Sequence, residues 1–317
     1  MPVRFNPKAR LDRSRVSDSG RRGGGAGGSG MRLPMPGGAK AGGGIAGVII
    51  VIIFIVVTQF LGGDPGSPPP SGDSLDTSRV DTGGSDRYAN CQTGEDAQQD
   101  EDCARVAVEN SLTDFWSDTL DSQSGVSFSP ERGVQTFTGA TSTGCGQASS
   151  QVGPFYCPAD RIIYLDTTFF EDVLQGQLGG PSGDFVEPYV LAHEYGHHIQ
   201  NLTGAMGQVR TQQGPESDSV RLELQADCYA GMWARAATST ENASGVQLIT
   251  DITEEDMAEA LDAAKSVGDD RIQQRSGGRV DPESWTHGSA EERQRWFQTG
   301  YQQGSMDACD TFAASQL

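Results

Sequence analysis

Histidine is scarce in this chain: its 317 residues hold four. Three of them, His193, His197 and His198, fall in one short stretch, and the fourth is His287. Imidazole chemistry is thereby confined to two places. Positive charge is also short, with 23 Lys and Arg against 43 Asp and Glu, a net charge of −20. Residues 1–40 carry nine of those cations against Asp12 and Asp18, a net +7, which leaves −27 for the rest. So acidic a remainder excludes nucleic-acid binding through a basic surface. No C-x-x-C pair occurs, which excludes a thioredoxin-type site and argues against a cysteine zinc knuckle. No G-x-S-x-G elbow occurs either, and too few histidines lie outside residues 193–198 for a serine-hydrolase reading. No internal repeat is visible.

Apolar residues are concentrated in one run, IAGVIIVIIFIVVTQFL, from Ile45 to Leu61. As a helix its 17 residues span roughly 25 Å at ~1.5 Å per residue, and Ala41 to Gly44 can extend it towards the ~30 Å of a bilayer core. It shows no polar face before Thr58 and no small-residue cleavage site after it, so it is read as an uncleaved transmembrane helix rather than a core helix or signal sequence. The basic arm ahead of it then places the N-terminus in the cytoplasm and the acidic bulk outside the cell membrane. Residues 1–44, rich in Gly, Arg, Ser and Pro, read as a disordered basic arm. Residues 62–88, with Pro68-Pro69-Pro70, read as a linker, and residues 89–317 as the folded domain.

All six cysteines (Cys91, Cys103, Cys145, Cys157, Cys228, Cys309) follow the apolar run. An even number on one side of a span suggests disulfides in an oxidising compartment, with buried thiols as the alternative. Local spacing suggests Cys91–Cys103 and Cys145–Cys157, leaving Cys228 with Cys309, although spacing alone does not fix connectivity.

Within the domain, residues 103–120 have helical apolar spacing, and residues 134–139 and 161–166 read as strands. A helix is expected from about Val186–Pro188 to just before Gly204, and another after Pro215 to about Ala237. Thr253-Glu-Glu-Asp and Ser289-Ala-Glu-Glu resemble capping boxes opening two more helices.

The chemistry lies on the first of the two middle helices. His193-Glu194-Tyr195-Gly196-His197 reads H-E-x-x-H, and positions i and i+4 share one helix face, so both histidines can meet one metal ion. A catalytic zinc takes three protein ligands and leaves one position open. Glu223, in the next helix, is the candidate third ligand, with Asp227 the other carboxylate suited to it. One turn beyond Glu223, Asp227 is placed to accept a hydrogen bond from the outer nitrogen of a ligating histidine. His198 points elsewhere. His287 is a candidate donor to an oxyanion, with Tyr195 and Tyr229 as remoter ones.

H-E-Y-G-H with the downstream E-L-Q-A-D-C-Y-A-G resembles the gluzincin class of zinc peptidases. More closely, the chain resembles the bacterial "putative neutral zinc metallopeptidase" family of single-span membrane proteins. The likeness is carried by Gly153-Pro-Phe-Tyr-Cys-Pro through Tyr164-Leu-Asp, the His193 stretch, Glu223 to Gly231, Thr286-His-Gly to Trp296-Phe, and Cys309-Asp-Thr-Phe. A third histidine at position 203 would mark the metzincins, but Thr203 stands there. The resemblance implies a zincin-like α+β fold, a hydrolytic Zn2+, and a peptide or protein substrate. It also implies that Glu194 is the general base acting on water beside the metal. In such folds an edge strand takes the substrate backbone, and residues 151–156 are the candidate. A zinc-binding protein of the same fold without turnover is the alternative, against which Glu194 stands, since a structural zinc needs no base.

Overall fold

A computed structural model describes residues 3–21 and 86–317. The apolar run 45–61, the rest of the arm and most of the linker 62–88 lie outside the described residues. Among the described residues, no helix is long and apolar enough to cross a membrane.

The chain opens with β1 (Arg4–Phe5) and β2 (Val16–Arg21). After the undescribed residues come a short turn of helix, Asp86–Tyr88, then α1 (Gly94–Gln99) and α2 (Glu101–Ser124). Three strands follow, β3 (Gly133–Thr138), β4 (Ala140–Thr143) and β5 (Gly146–Ser149). Next are β6 (Phe155–Cys157) and β7 (Ile162–Asp166), and then a wide helical turn at Phe169–Gln175. The second half is helical: α3 (Val186–Thr203), α4 (Asp218–Ala236), α5 (Glu254–Ser266), α6 (Asp269–Arg275) and α7 (Ala290–Gln303), with β8 (Ile249–Asp251) between α4 and α5. The fold is mixed α+β.

Helix ends follow local chemistry. Gly204 closes α3 in the left-handed conformation at φ 79°. The Ser217 side chain accepts from the Val220 N–H at the start of α4. Both expected capping boxes are present, Thr253 with Asp256 and Ser289 with Glu292. The three cystines pair as local spacing suggested: Cys91–Cys103, Cys145–Cys157 and Cys228–Cys309.

The main sheet runs β2-β3-β7-β6. β2, β3 and β7 are parallel, and β6 is an antiparallel edge strand. Its buried face and α2, α3 and α4 enclose one core, in which Trp116, Trp233, Tyr189 and Tyr195 are fully covered.

The expectation of a disordered arm over 1–44 is corrected for residues 3–21. β1 pairs with β8 and β2 lies parallel to β3, with Val16 opposite Val134 and Asp18 opposite Thr136. Asn110 Nδ2 donates to the Asp12 carbonyl and Asn110 Oδ1 accepts the Asp12 N–H, each at 2.7 Å. A stretch rich in Arg, Ser and Asp is ordered because strand pairing and ion pairs add to the burial of Val3, Phe5, Ala9 and Val16. The folded unit also begins before residue 89, since Tyr88 is buried with its hydroxyl 3.0 Å from Thr136 Oγ1. Residues 3–21 and 86–317 thus form one fold.

Candidate metal centre

His193 and His197 project from one face of α3, their ring centroids 4.8 Å apart. Gly196 lies between them, against the backbone of α4: a Cβ there would stand 3.1 Å from Ala226 Cα. This close crossing brings Glu223 of α4 to both rings. His193 Nε2 is 3.2 Å from Glu223 Oε2, and His197 Nε2 is 3.5 Å from Glu223 Oε1. One ligand atom from each of the three residues lies within 4.8 Å of the others. Two imidazoles and a carboxylate converging in this way suit zinc, and they leave a fourth position open.

The outer ring nitrogens are both engaged, which leaves each Nε2 for the metal. His193 Nδ1 donates to Asp227 Oδ1 at 2.8 Å. Asp227 is fully buried and also accepts from the Tyr189 hydroxyl at 2.6 Å and from Arg293 Nε at 2.7 Å. Asp227 therefore lies behind His193 rather than among the converging atoms. His197 Nδ1 donates to Gln200 Oε1 at 2.8 Å. Gln200 is held in turn by donating to the Leu222 carbonyl and to Gln225 Oε1, and Gln225 donates to the Cys309 carbonyl.

The two histidines thus differ electrostatically. Burial disfavours charge on both. At His193 the Asp227 carboxylate outweighs burial and raises the pKa to about 10. At His197, where the partner is a neutral amide, burial prevails and the pKa falls to about 4. Asp227 is buried, yet the Arg293 guanidinium and His193 hold it at about 2. Glu223 is likewise held well below the usual carboxylate range by His197 and His193 against burial.

Glu194 is buried beside His193 and Glu223. Its Oε2 accepts the Tyr156 N–H at 2.8 Å, and burial pushes its carboxyl up to about 7. Tyr156 belongs to the edge strand β6, next to the centre. Of the expected substrate-binding segment 151–156, only the end is strand: Ser150–Val152 is a helical turn and β6 begins at Phe155.

Comparison with known proteins is decisive about kinship. The model of the family described as "Putative neutral zinc metallopeptidase" matches residues 8–312. The chain belongs to this family. It is 48% identical over 229 residues to uncharacterized protein Rv2575 of Mycobacterium tuberculosis, covering 72% of this chain and 76% of that one. It is 45% identical over 185 residues to uncharacterized protein YpfJ of Escherichia coli, covering 56% of this chain and 61% of that one. No solved structure matches. For this family member the zinc-peptidase reading of the motif stands at the level that the family name carries.

The remaining candidates divide. His287 is buried, and its Nδ1 is 2.9 Å from Thr286 Oγ1 and 3.3 Å from Asp269 Oδ1. Asp269 Oδ2 accepts the N–H groups of Thr286, His287 and Gly288, which fixes the loop that carries the ring. Burial opposes charge on His287, but Asp269 and then Glu223 raise its pKa, so its ring lies within electrostatic reach of the Glu223 carboxylate. His198 is structural: Nε2 donates to the Ser129 carbonyl, and Nδ1 lies 3.0 Å from the Tyr156 hydroxyl, which ties β6 to α3. The Tyr195 hydroxyl goes to Thr113 on α2, and Tyr229 packs edge-on against Trp116, so neither serves the oxyanion role. The sequence reading missed Tyr189, Gln200, Gln225, Asp269 and Arg293. Only Gln200 carried a local signal, one helical turn after His197.

Proposed function

We propose that this chain is a zinc-dependent peptidase in which Glu194 is the general base and His287 the stabiliser of the developing oxyanion. The carrying observation is the convergence of His193 Nε2, His197 Nε2 and Glu223 beside a buried carboxylate that takes no part in that convergence. Zinc bound there would polarise a scissile carbonyl and acidify water. The work of the protein's own groups follows from their positions. Asp227 and Gln200 hold the two rings with their ε nitrogens inward. Glu194, with a pKa near neutrality, takes a proton from water and passes it to the leaving amine. The Tyr156 N–H keeps one Glu194 oxygen fixed and leaves the other for that proton. His287, steadied by Asp269, donates towards the oxygen on which charge develops. β6, the sheet edge beside Glu194 among the described residues, offers its main-chain groups other than the Tyr156 N–H to an extended peptide, as in zincin-type sites.

The three cystines support an extracytoplasmic location for the domain. Membrane association through residues 45–61 belongs to the same proposal, with residues 3–21 on the domain's side. The net charge of −20 supports the reading that nucleic acid is not a partner.

The test is hydrolysis of a broad peptide library by the zinc-loaded protein. Cleavage that stops on chelation and returns with zinc is expected. Cleavage unaffected by complete metal removal would contradict the proposal.

A further inference from the structure

Two carboxylates with no role in this mechanism lie side by side beneath α3. Glu109 of α2 and Glu131, just before β3, have side chains with no solvent exposure. Glu109 is engaged through both of its oxygens. Its Oε1 accepts from Arg15 Nε at 2.8 Å and from Thr113 Oγ1 at 2.9 Å, and its Oε2 accepts from Asn110 Nδ2 at 2.6 Å. Glu131 Oε1 stands 3.8 Å from the same Arg15 Nε, and its carboxyl sits beside both Glu109 and Tyr195. Burial first, and then the Glu109 charge, raise the Glu131 pKa well above the carboxylate range. Arg15 is the cation beside both carboxylates, and its guanidinium also lies 3.6 Å from Asp12 Oδ2.

That guanidinium comes from the N-terminal segment. Residues 3–21 are separated from residue 86 by a long stretch of chain, yet they dock specifically. Asp12 and Asn110 exchange two hydrogen bonds, Arg13 donates to the Ala89 carbonyl, and β2 extends the sheet beyond β3. The contact continues to the metal centre. Thr113, which donates to Glu109, is 3.1 Å from the hydroxyl of Tyr195, the residue between Glu194 and Gly196 in the motif.

We propose that the β3 edge and the Glu109–Asn110 face of α2 form a docking surface for the chain's own N-terminal segment, and that Arg15 supplies the charge that keeps the metal-binding helix in register. The occupant is an extended strand carrying Asp12 and Arg15. It fits because an acidic domain presents here a buried anion that apolar contacts cannot neutralise. Only the effect on the metal rests on the proposed function; the docking itself does not.

The test uses the full chain with Arg15→Met, Glu109→Gln and the two combined. Amide hydrogen exchange reads docking at residues 16–21 and 133–138, and chelator competition reads zinc affinity. Arg15→Met should lose protection in both strands and bind zinc about tenfold more weakly, the size of effect known for groups that orient metal ligands. The double variant, which removes both charges, should regain most of both. A peptide of residues 3–21 added to Arg15→Met should restore protection of β3. Unchanged exchange and affinity in Arg15→Met would overturn the proposal. If Arg15→Met does not fold, folding of the double variant supports the proposal, and its failure to fold overturns it. Absence of zinc binding in the wild type would count against the proposed function alone, because the exchange arm still reads the docking.

Discussion

His197 and His198 are neighbours in sequence with separate duties, and the helix alone divides them. One residue on turns a side chain by about 100°, away from the metal and towards the sheet. His198 is fully buried and neutral, and burial pulls its pKa down to about 4. The unfolded chain takes up a proton near pH 6.5, so the folded state is favoured fully above that pH and loses the advantage as pH falls to about 4. The loss amounts to about 3 kcal/mol. Urea unfolding at pH 7 and pH 4.5, with chelator present so that metal release does not enter, should show it. His198→Asn should lose much less stability across the same window, and an equal loss would refute the assignment. At this scale the convergence of His193 and His197 was legible because i, i+4 spacing is written in the chain. Arg293 and Asp269 were not, because their partners, Asp227 and His287, lie 66 and 18 residues away and meet them only in the fold.

The site depends on how α4 and α7 cross. Gly231 of α4 and Gly300 of α7 remove the side chains at the contact. A Cβ on Gly300 would lie 1.8 Å from the Cys228 carbonyl oxygen, and one on Gly231 would lie 2.1 Å from the Phe297 carbonyl oxygen. Backbone cannot yield at such distances, so the helices would have to separate. The same approach lets Arg293 on α7 reach Asp227 on α4. Gly300→Ala should therefore destabilise the protein by ~3 kcal/mol or more, above the usual cost of overpacking. It should also weaken zinc binding, since Asp227 would lose its clamp. Wild-type stability in a denaturant titration would contradict this. Elements with strong local signals were readable in advance: α3 and α4 from apolar spacing and end residues, α5 and α7 from capping boxes. β2 was not. Its sequence, Val-Ser-Asp-Ser-Gly-Arg, holds one apolar residue and several poor strand formers, so pairing with β3 and the Arg15 ion pair make it a strand.

At the scale of the whole molecule, charge and cysteine pointed correctly to an acidic, disulfide-bonded α+β domain. They misplaced the N-terminal segment, because net charge reports which surface prefers water and not which buried anion awaits a cation. The proposed function requires one base, Glu194, beside a metal site made by His193, His197 and Glu223, with no bond from that base to the metal. Glu194→Gln keeps the side chain's size and removes its basicity, while His193, His197 and Glu223 stay intact. Zinc content and peptide hydrolysis should be measured together in the wild type and in this variant. Full zinc occupancy with hydrolysis reduced by ~10²–10⁴-fold is the expected result. Hydrolysis at the wild-type rate in the zinc-loaded variant would contradict the account.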